Sequence, residues 1–323
     1  MSSIQSRLLF FAIRNRNLLK FNLKKETWDW NTSIPRFREE CEEGALKGGP
    51  LPDGIGVSPV SITGLPEGLK AEWILPPQAA PEPAKGEQVL FYTHGGGYVS
   101  GSCSDHRGFV AKIVKASGVR ALLYEYRLAP EHPFPAAMDD TLTAYRWLLA
   151  QGVSPADIII VGESAGGGLC LATLLALKDQ AIPMPRAAVA LSPWTDLKLA
   201  GKTKLPKGSI DPEGMAMVCS KYYAGENDPA LPWISPVYGD LHGLPPLLIY
   251  VGDAEGGLQD SVRFNEKAKA AGVDVILHVG EGMVHCYPLF APLFPEATQA
   301  MAEICSFIHM HAGQKVETAI RQD

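Results

Sequence analysis

Ile158-Ile159-Ile160-Val161-Gly162-Glu163-Ser164-Ala165-Gly166-Gly167 joins a strand pattern to the start of a helix through a serine flanked by glycines. Its first four residues are β-branched and apolar without alternation, the pattern of a strand buried on both faces. From Ala165 to Lys178 apolar residues recur at three- and four-residue spacing, which predicts a helix. Ser164 therefore stands in a tight strand-to-helix turn, with Gly162 and Gly166 where neighbouring chain must approach closely. Such a turn strains the serine backbone and aims a helix N-terminus at whatever sits before it.

On either side of this stretch, strand patterns occur at Val57-Thr63, Ala71-Leu75, Gln88-Thr93, Ala121-Tyr126, Ala187-Leu191, Leu247-Val251 and Val273-Val279, making eight with the first. Helical patterns fall at Arg107-Ala116, Ala136-Ala150, Leu258-Ala271 and Pro295-His311. The alternation predicts an α/β fold with a mostly parallel eight-stranded sheet flanked by helices. The opening strands lack intervening helices and are expected to be antiparallel. Pro76 to Pro83 reads as an exposed loop. Residues 1–45 and 198–226 do not fit the alternation and are expected to form a helical cap over a catalytic domain of residues 46–197 and 227–323.

Composition narrows the function. The chain has 323 residues, 46% hydrophobic and 20% charged, with a formal net charge of -6, so it folds as a globular protein and offers no basis for nucleic-acid binding. Six scattered cysteines show no metal-ligand spacing and read as free thiols, which suits a reducing, cytoplasmic location. The apolar run from Leu8 to Ile13 is too short for a signal-peptide core or a membrane span, so no stable membrane insertion is expected. Its basic flanks, Arg7, Arg14, Arg16 and Lys20, fit an amphipathic helix better than a transit peptide.

A serine hydroxyl needs a base, a group that orients the base, and donors for the oxyanion that forms on the attacked carbonyl. A second motif, His94-Gly95-Gly96-Gly97, follows the strand Gln88-Thr93 and offers backbone donors. Gly96, Gly97 and Ala165 are the expected oxyanion-hole residues, with His94 in a structural role. Eight histidines compete as base, and chain order places the acid and then the base after the serine. His278 lies in a strand pattern, His309 and His311 lie on the last helix, and His242 precedes the strand that should present the acid. His285, in a loop at the C-terminal edge of the sheet, remains.

The motifs HGGGY at His94-Tyr98, YRLAPEHPFPAA at Tyr126-Ala137, GESAGG at Gly162-Gly167, LSPWTDL at Leu191-Leu197 and GMVH at Gly282-His285 resemble the hormone-sensitive-lipase family of esterases. The resemblance runs from about residue 85 to the end. It implies a capped α/β-hydrolase without a cofactor, acting on short- to medium-chain acyl esters through an acyl-enzyme, with a small-molecule ester as partner. A homodimer is a family-level expectation. Amidase, lactonase and acyltransferase chemistry could use the same residues.

The resemblance also places the acid nine residues after Pro246 and thirty before His285, which selects Glu255, with Asp253 as the alternative; Asp260 reads as a helix-start residue. Glu163 stands where the family commonly has Asp and is given no catalytic task. Arg127 and Glu131 are expected to pair in the proline-rich corner, and Tyr98, Trp194, Tyr222, Tyr223 and Tyr287 are candidates for pocket or core. Plant gibberellin receptors share the fold and keep the serine but lose the histidine, so His285 argues against a purely binding role.

Overall fold

A computed structural model describes residues 2–14, 27–47, 49–198, 205–206 and 209–311. The basic residues Arg16 and Lys20 and the stretch 199–204 of the expected cap lie outside the described residues. One sheet of eight strands carries the fold: β1 (Gly56–Val60), β2 (Ala71–Leu75), β3 (Val89–Thr93), β4 (Arg120–Tyr124), β5 (Ile158–Glu163), β6 (Ala187–Leu191), β7 (Leu247–Gly252) and β8 (Val275–Gly280). Their order is β1-β2-β4-β3-β5-β6-β7-β8. The β1/β2 and β2/β4 pairs are antiparallel and all others parallel, as the helix-free opening predicts.

The unalternating hydrophobicity of the central strands has a direct cause. Phe91, Leu122, Tyr124, Ile158, Ile160, Ala188 and Ala190 enter one core. Their neighbours Leu90, Tyr92, Ala121, Leu123, Ile159, Val161, Ala187 and Val189 enter the other. Successive side chains point to opposite faces, so a sheet covered on both sides must be apolar at every position. The first core is closed by α4 (Ala136–Ala150), α5 (Ala165–Asp179) and α7 (Leu258–Ala270). The second is closed by α3 (Cys103–Ser117) and α8 (Pro295–Met310), with Phe10 of α1 (Ile4–Arg14) set edge-on against Phe294. Helices α2 (Ile34–Lys47) and α6 (Met215–Ala224) come from the two segments that break the alternation.

Helix α3 begins four residues before the expected Arg107. Ser102 caps it, accepting from the Asp105 N–H while the Asp105 carboxylate accepts from Ser102 N–H, and this reciprocal cap outweighs the weak apolar periodicity of the first turn. The loop between β2 and β3, which holds Pro76 to Pro83, lies at the edge of the sheet where the parallel strands begin. The turns that hold Ser164, Glu255 and His285 leave from the opposite edge, where those strands end.

Candidate active site

Ser164 follows β5 at the centre of that edge with φ 57° and ψ −122°, a conformation that L residues rarely adopt. Its N–H donates to Leu191 O at 2.8 Å, and its carbonyl accepts from Gly168 N and Trp194 N, each at 3.0 Å. The flanking glycines are demanded by contact. A Cβ on Gly166 would collide with the Thr93 and His94 carbonyls, and one on Gly162 with the Thr93 hydroxyl and the Gly166 carbonyl. Since backbone cannot yield to a methyl group, Gly166→Ala is expected to lower stability by ~3 kcal/mol, the upper end of ordinary overpacking, and to lower activity with it. Thermal unfolding measured beside initial rates checks this.

The glycine loop is held one peptide plane at a time. Because a peptide is planar, fixing its C=O fixes the N–H at its other end. Gly95 O accepts from His94 Nδ1 at 2.8 Å, which orients the Gly96 N–H. Gly96 O accepts from Val99 N at 3.1 Å, Ser100 N at 3.0 Å and Ser100 Oγ at 3.0 Å, which orients the Gly97 N–H. Gly96 and Gly97 have φ of 103° and 64°. His94 thus has the structural role read from the sequence. Its ring stacks on Tyr126 at 4.1 Å, and Tyr126 Oη donates to the His94 carbonyl at 2.8 Å. Burial, helped by the nearby His106, pushes the His94 imidazole down to about 4 and keeps it neutral.

Glu255 and His285 meet. The His285 Nδ1–H donates to Glu255 Oε2, the tautomer following from a carboxylate that can only accept. Glu255 is 1% exposed, and its other oxygen accepts from Ser192 Oγ at 2.7 Å and Gly252 N at 2.5 Å. Burial opposes an imidazolium at His285, but Cys286 and the Glu255 carboxylate outweigh it and hold the ring well above the usual histidine range. Asp253 does something else: its Oδ1 accepts from Gly282 N at 2.7 Å and so braces the loop that presents His285. Asp260 lies in the first turn of α7, accepts from Asp196 N at 3.2 Å, and is pushed up to about 7 by burial and the neighbouring Asp196.

Several residues that complete this arrangement were not singled out from the sequence. Ser192 donates to Glu255 and accepts from Cys286 N at 2.9 Å, joining the loop that holds Glu255 to the loop that holds His285. The Leu191 carbonyl receives both the Ser164 N–H and the Cys286 thiol, tying the serine turn to the same junction. Asp211 reaches from the inserted segment to accept from Gly256 N at 3.0 Å. For Ser192 a signal was present in the polarity of the LSPWTDL run at Leu191-Leu197; Asp211 has none in its local sequence. The expected Arg127–Glu131 pair does not form. Arg127 grips Asp140, with Nε–Oδ2 and Nη2–Oδ1 both at 2.8 Å, while Glu131 pairs with Arg38 at 2.7 Å. A local reading could not supply Arg38, which arrives on α2 and also donates to Val99 O and Ala129 O.

The two irregular segments touch each other and the glycine loop. Trp28 N donates to Glu213 O at 2.7 Å, and Trp30 meets Tyr222 edge-on at 6.2 Å. Space beside Gly97 is closed by Cys219 and Met215 of α6. Tyr98 stacks on Tyr223 with centroids 3.7 Å apart, both buried, as is Tyr287, while Trp194 and Tyr222 are half-buried.

A strained serine at the end of a central strand, a glycine loop beside it and a carboxylate–imidazole pair on the last two loops define the α/β-hydrolase class. The profile described as alpha/beta hydrolase fold matches residues 90–289. An acetyl-hydrolase of Streptomyces hygroscopicus is 36% identical over 264 residues, 80% of this chain and 86% of that protein. An esterase of Acinetobacter venetianus is 38% identical over 228 residues, 69% of this chain and 75% of that one. The crystal structure of an esterase from the bacterial hormone-sensitive lipase family superposes with a TM-score of 0.83 at 38% identity, covering 97% of this chain and all of the other. The chain belongs to the alpha/beta hydrolase fold family and, within it, to the esterases of the hormone-sensitive-lipase group. Among the described residues no helix is long and apolar enough to cross a membrane.

Proposed function

We propose that this esterase hydrolyses short- to medium-chain carboxylic esters through a Ser164–His285–Glu255 triad. Ser164 Oγ attacks the ester carbonyl as His285 Nε2 takes its proton, and the carbonyl electrons move onto an oxyanion held by the N–H groups of Gly96, Gly97 and Ala165. The oxyanion collapses, the C–O bond to the leaving alcohol breaks, and His285 returns the proton to it. Water then repeats the sequence on the acyl-enzyme, releasing the acid and free Ser164. The observation that carries the reading is the hydrogen bond from His285 Nδ1 to the buried Glu255, which leaves Nε2 as the nitrogen able to accept a proton.

Residues 1–45 and 198–226 act in this reading as one cap over a catalytic domain of 46–197 and 227–323, supported by the Trp28–Glu213 bond and by α6 packed beside Gly97. A preference for small acyl groups is in keeping with relatives named acetyl-hydrolase and, from Pseudomonas putida, ethyl acetate hydrolase. A panel of esters graded in acyl length tests this. Specificity (kcat/KM) should peak at short to medium acyl chains, and a peak at long chains would overturn it. Deleting residues 1–45 removes Arg38 from the Val99 carbonyl, and kcat/KM should then fall about 10- to 100-fold across the panel, as misplacement on the ångström scale does.

A further inference from the structure

Behind the glycine loop lies a buried group of charges that the proposed mechanism does not use. Glu163, 4% exposed, turns its side chain away from solvent, and Oε1 accepts from Gly95 N at 2.6 Å. The same oxygen lies 3.0 Å from His106 Nε2, while His106 Nδ1 faces Asp105 Oδ1. Asp105 is itself fixed by the cap of α3, accepting from Ser102 N at 2.7 Å. With a carboxylate oxygen at each ring nitrogen, both nitrogens of His106 must donate, which only the imidazolium can do. Burial opposes that charge, yet the bonds to Asp105 and Glu163 push His106 up to about 10. The ring lies 5.0 Å from His94, where its charge adds to burial in keeping that imidazole neutral.

We propose that His106, held between Asp105 and Glu163, is a positioning residue of the oxyanion hole: it fixes the Glu163 carboxylate that grips the Gly95 N–H. The chain of cause is short. Glu163 sets the peptide between His94 and Gly95, and His94 Nδ1 sets the next, whose N–H is the Gly96 donor. With both planes set, the donor is aimed before substrate arrives and needs no reorganisation as charge develops. Without its cationic partner, the buried Glu163 carboxylate would seek water or a proton and release Gly95. The Glu163 side chain reaches both Gly95 and His106 from within the serine turn. This inference rests on the reading of Gly96 and Gly97 as oxyanion donors.

The test compares wild-type protein with His106→Gln in turnover of a short-chain activated ester and in inhibition by an aliphatic trifluoromethyl ketone. Addition of a serine to that ketone creates an oxyanion that requires the same donors. Fluorophosphonate labelling, run to completion, counts competent sites. Loss of aim should lower kcat per competent site about 10- to 100-fold and weaken the ketone by the same factor, with KM changed less than about twofold. Wild-type kcat per site, a loss carried by KM, or a loss that merely tracks the labelled fraction would each overturn the proposal. Should His106→Gln not fold, Glu163→Asp, which shortens the reach to Gly95, is read in the same way. Failure of the ketone to inhibit the wild-type protein would instead sink the oxyanion reading itself, independently of His106.

Discussion

Ser164→Ala is expected to lower turnover of a short-chain activated ester by about 10⁶-fold, because without the hydroxyl no acyl-enzyme can form and only water activated by the remaining groups is left to attack. The residual rate should still exceed the uncatalysed one, since backbone donors stabilise an oxyanion whichever nucleophile creates it. A fluorophosphonate should label the wild-type chain once and the variant not at all. The substitution is small and the strained backbone carries no Cβ contact that alanine lacks, so the folded state should persist. Hydrolysis at the wild-type rate by the alanine variant would remove the foundation of the proposed mechanism.

The second large effect concerns the acid. Glu255→Gln leaves the shape of the site intact but replaces an acceptor-only group with an amide that can present a donor to His285, favouring the wrong tautomer. Turnover should fall by about 10⁴-fold. Asp253→Asn keeps an oxygen to accept from Gly282 N, so its loss should stay within about tenfold. The pH profile supplies an independent sign. A base held above the usual histidine range must lose its proton before it can act, so wild-type kcat/KM should rise with pH through a midpoint above the ordinary value of 6.5. Part of that elevation comes from the Glu255 charge, so in Glu255→Gln the same limb should move to lower pH. A larger loss in Asp253→Asn, or an unmoved limb in Glu255→Gln, would transfer the role of acid away from Glu255.

Much of this arrangement was legible before any coordinates. Strands buried on both faces leave an unbroken apolar run, and helices leave a period near four, so the sheet, its parallel centre and its antiparallel opening followed from residue type alone. The serine turn and the glycine loop were equally plain, because backbone crowding admits only glycine at fixed offsets. What escaped was whatever depends on contact between distant segments. Arg38 takes Glu131 from Arg127 because α2 folds across the proline-rich corner, and nothing near residue 127 announces it. Ser192 joins two loops through its side-chain oxygen, and Glu163 and His106 find each other across 57 residues. Polar pairs carry no periodicity, so their partners are chosen by the tertiary fold.

The proline-rich loop between β2 and β3 leaves from the end of the sheet remote from Ser164, with the full length of the strands between them. That polarity makes the loop a natural point of attachment. A lysine tag or a docking peptide inserted within residues 76–83 would bind the protein to a resin bead with the Ser164 edge of the sheet turned outward. The same tag placed in the segment around residue 213 would turn the glycine-loop side, where Met215 and Cys219 lie beside Gly97, toward the support.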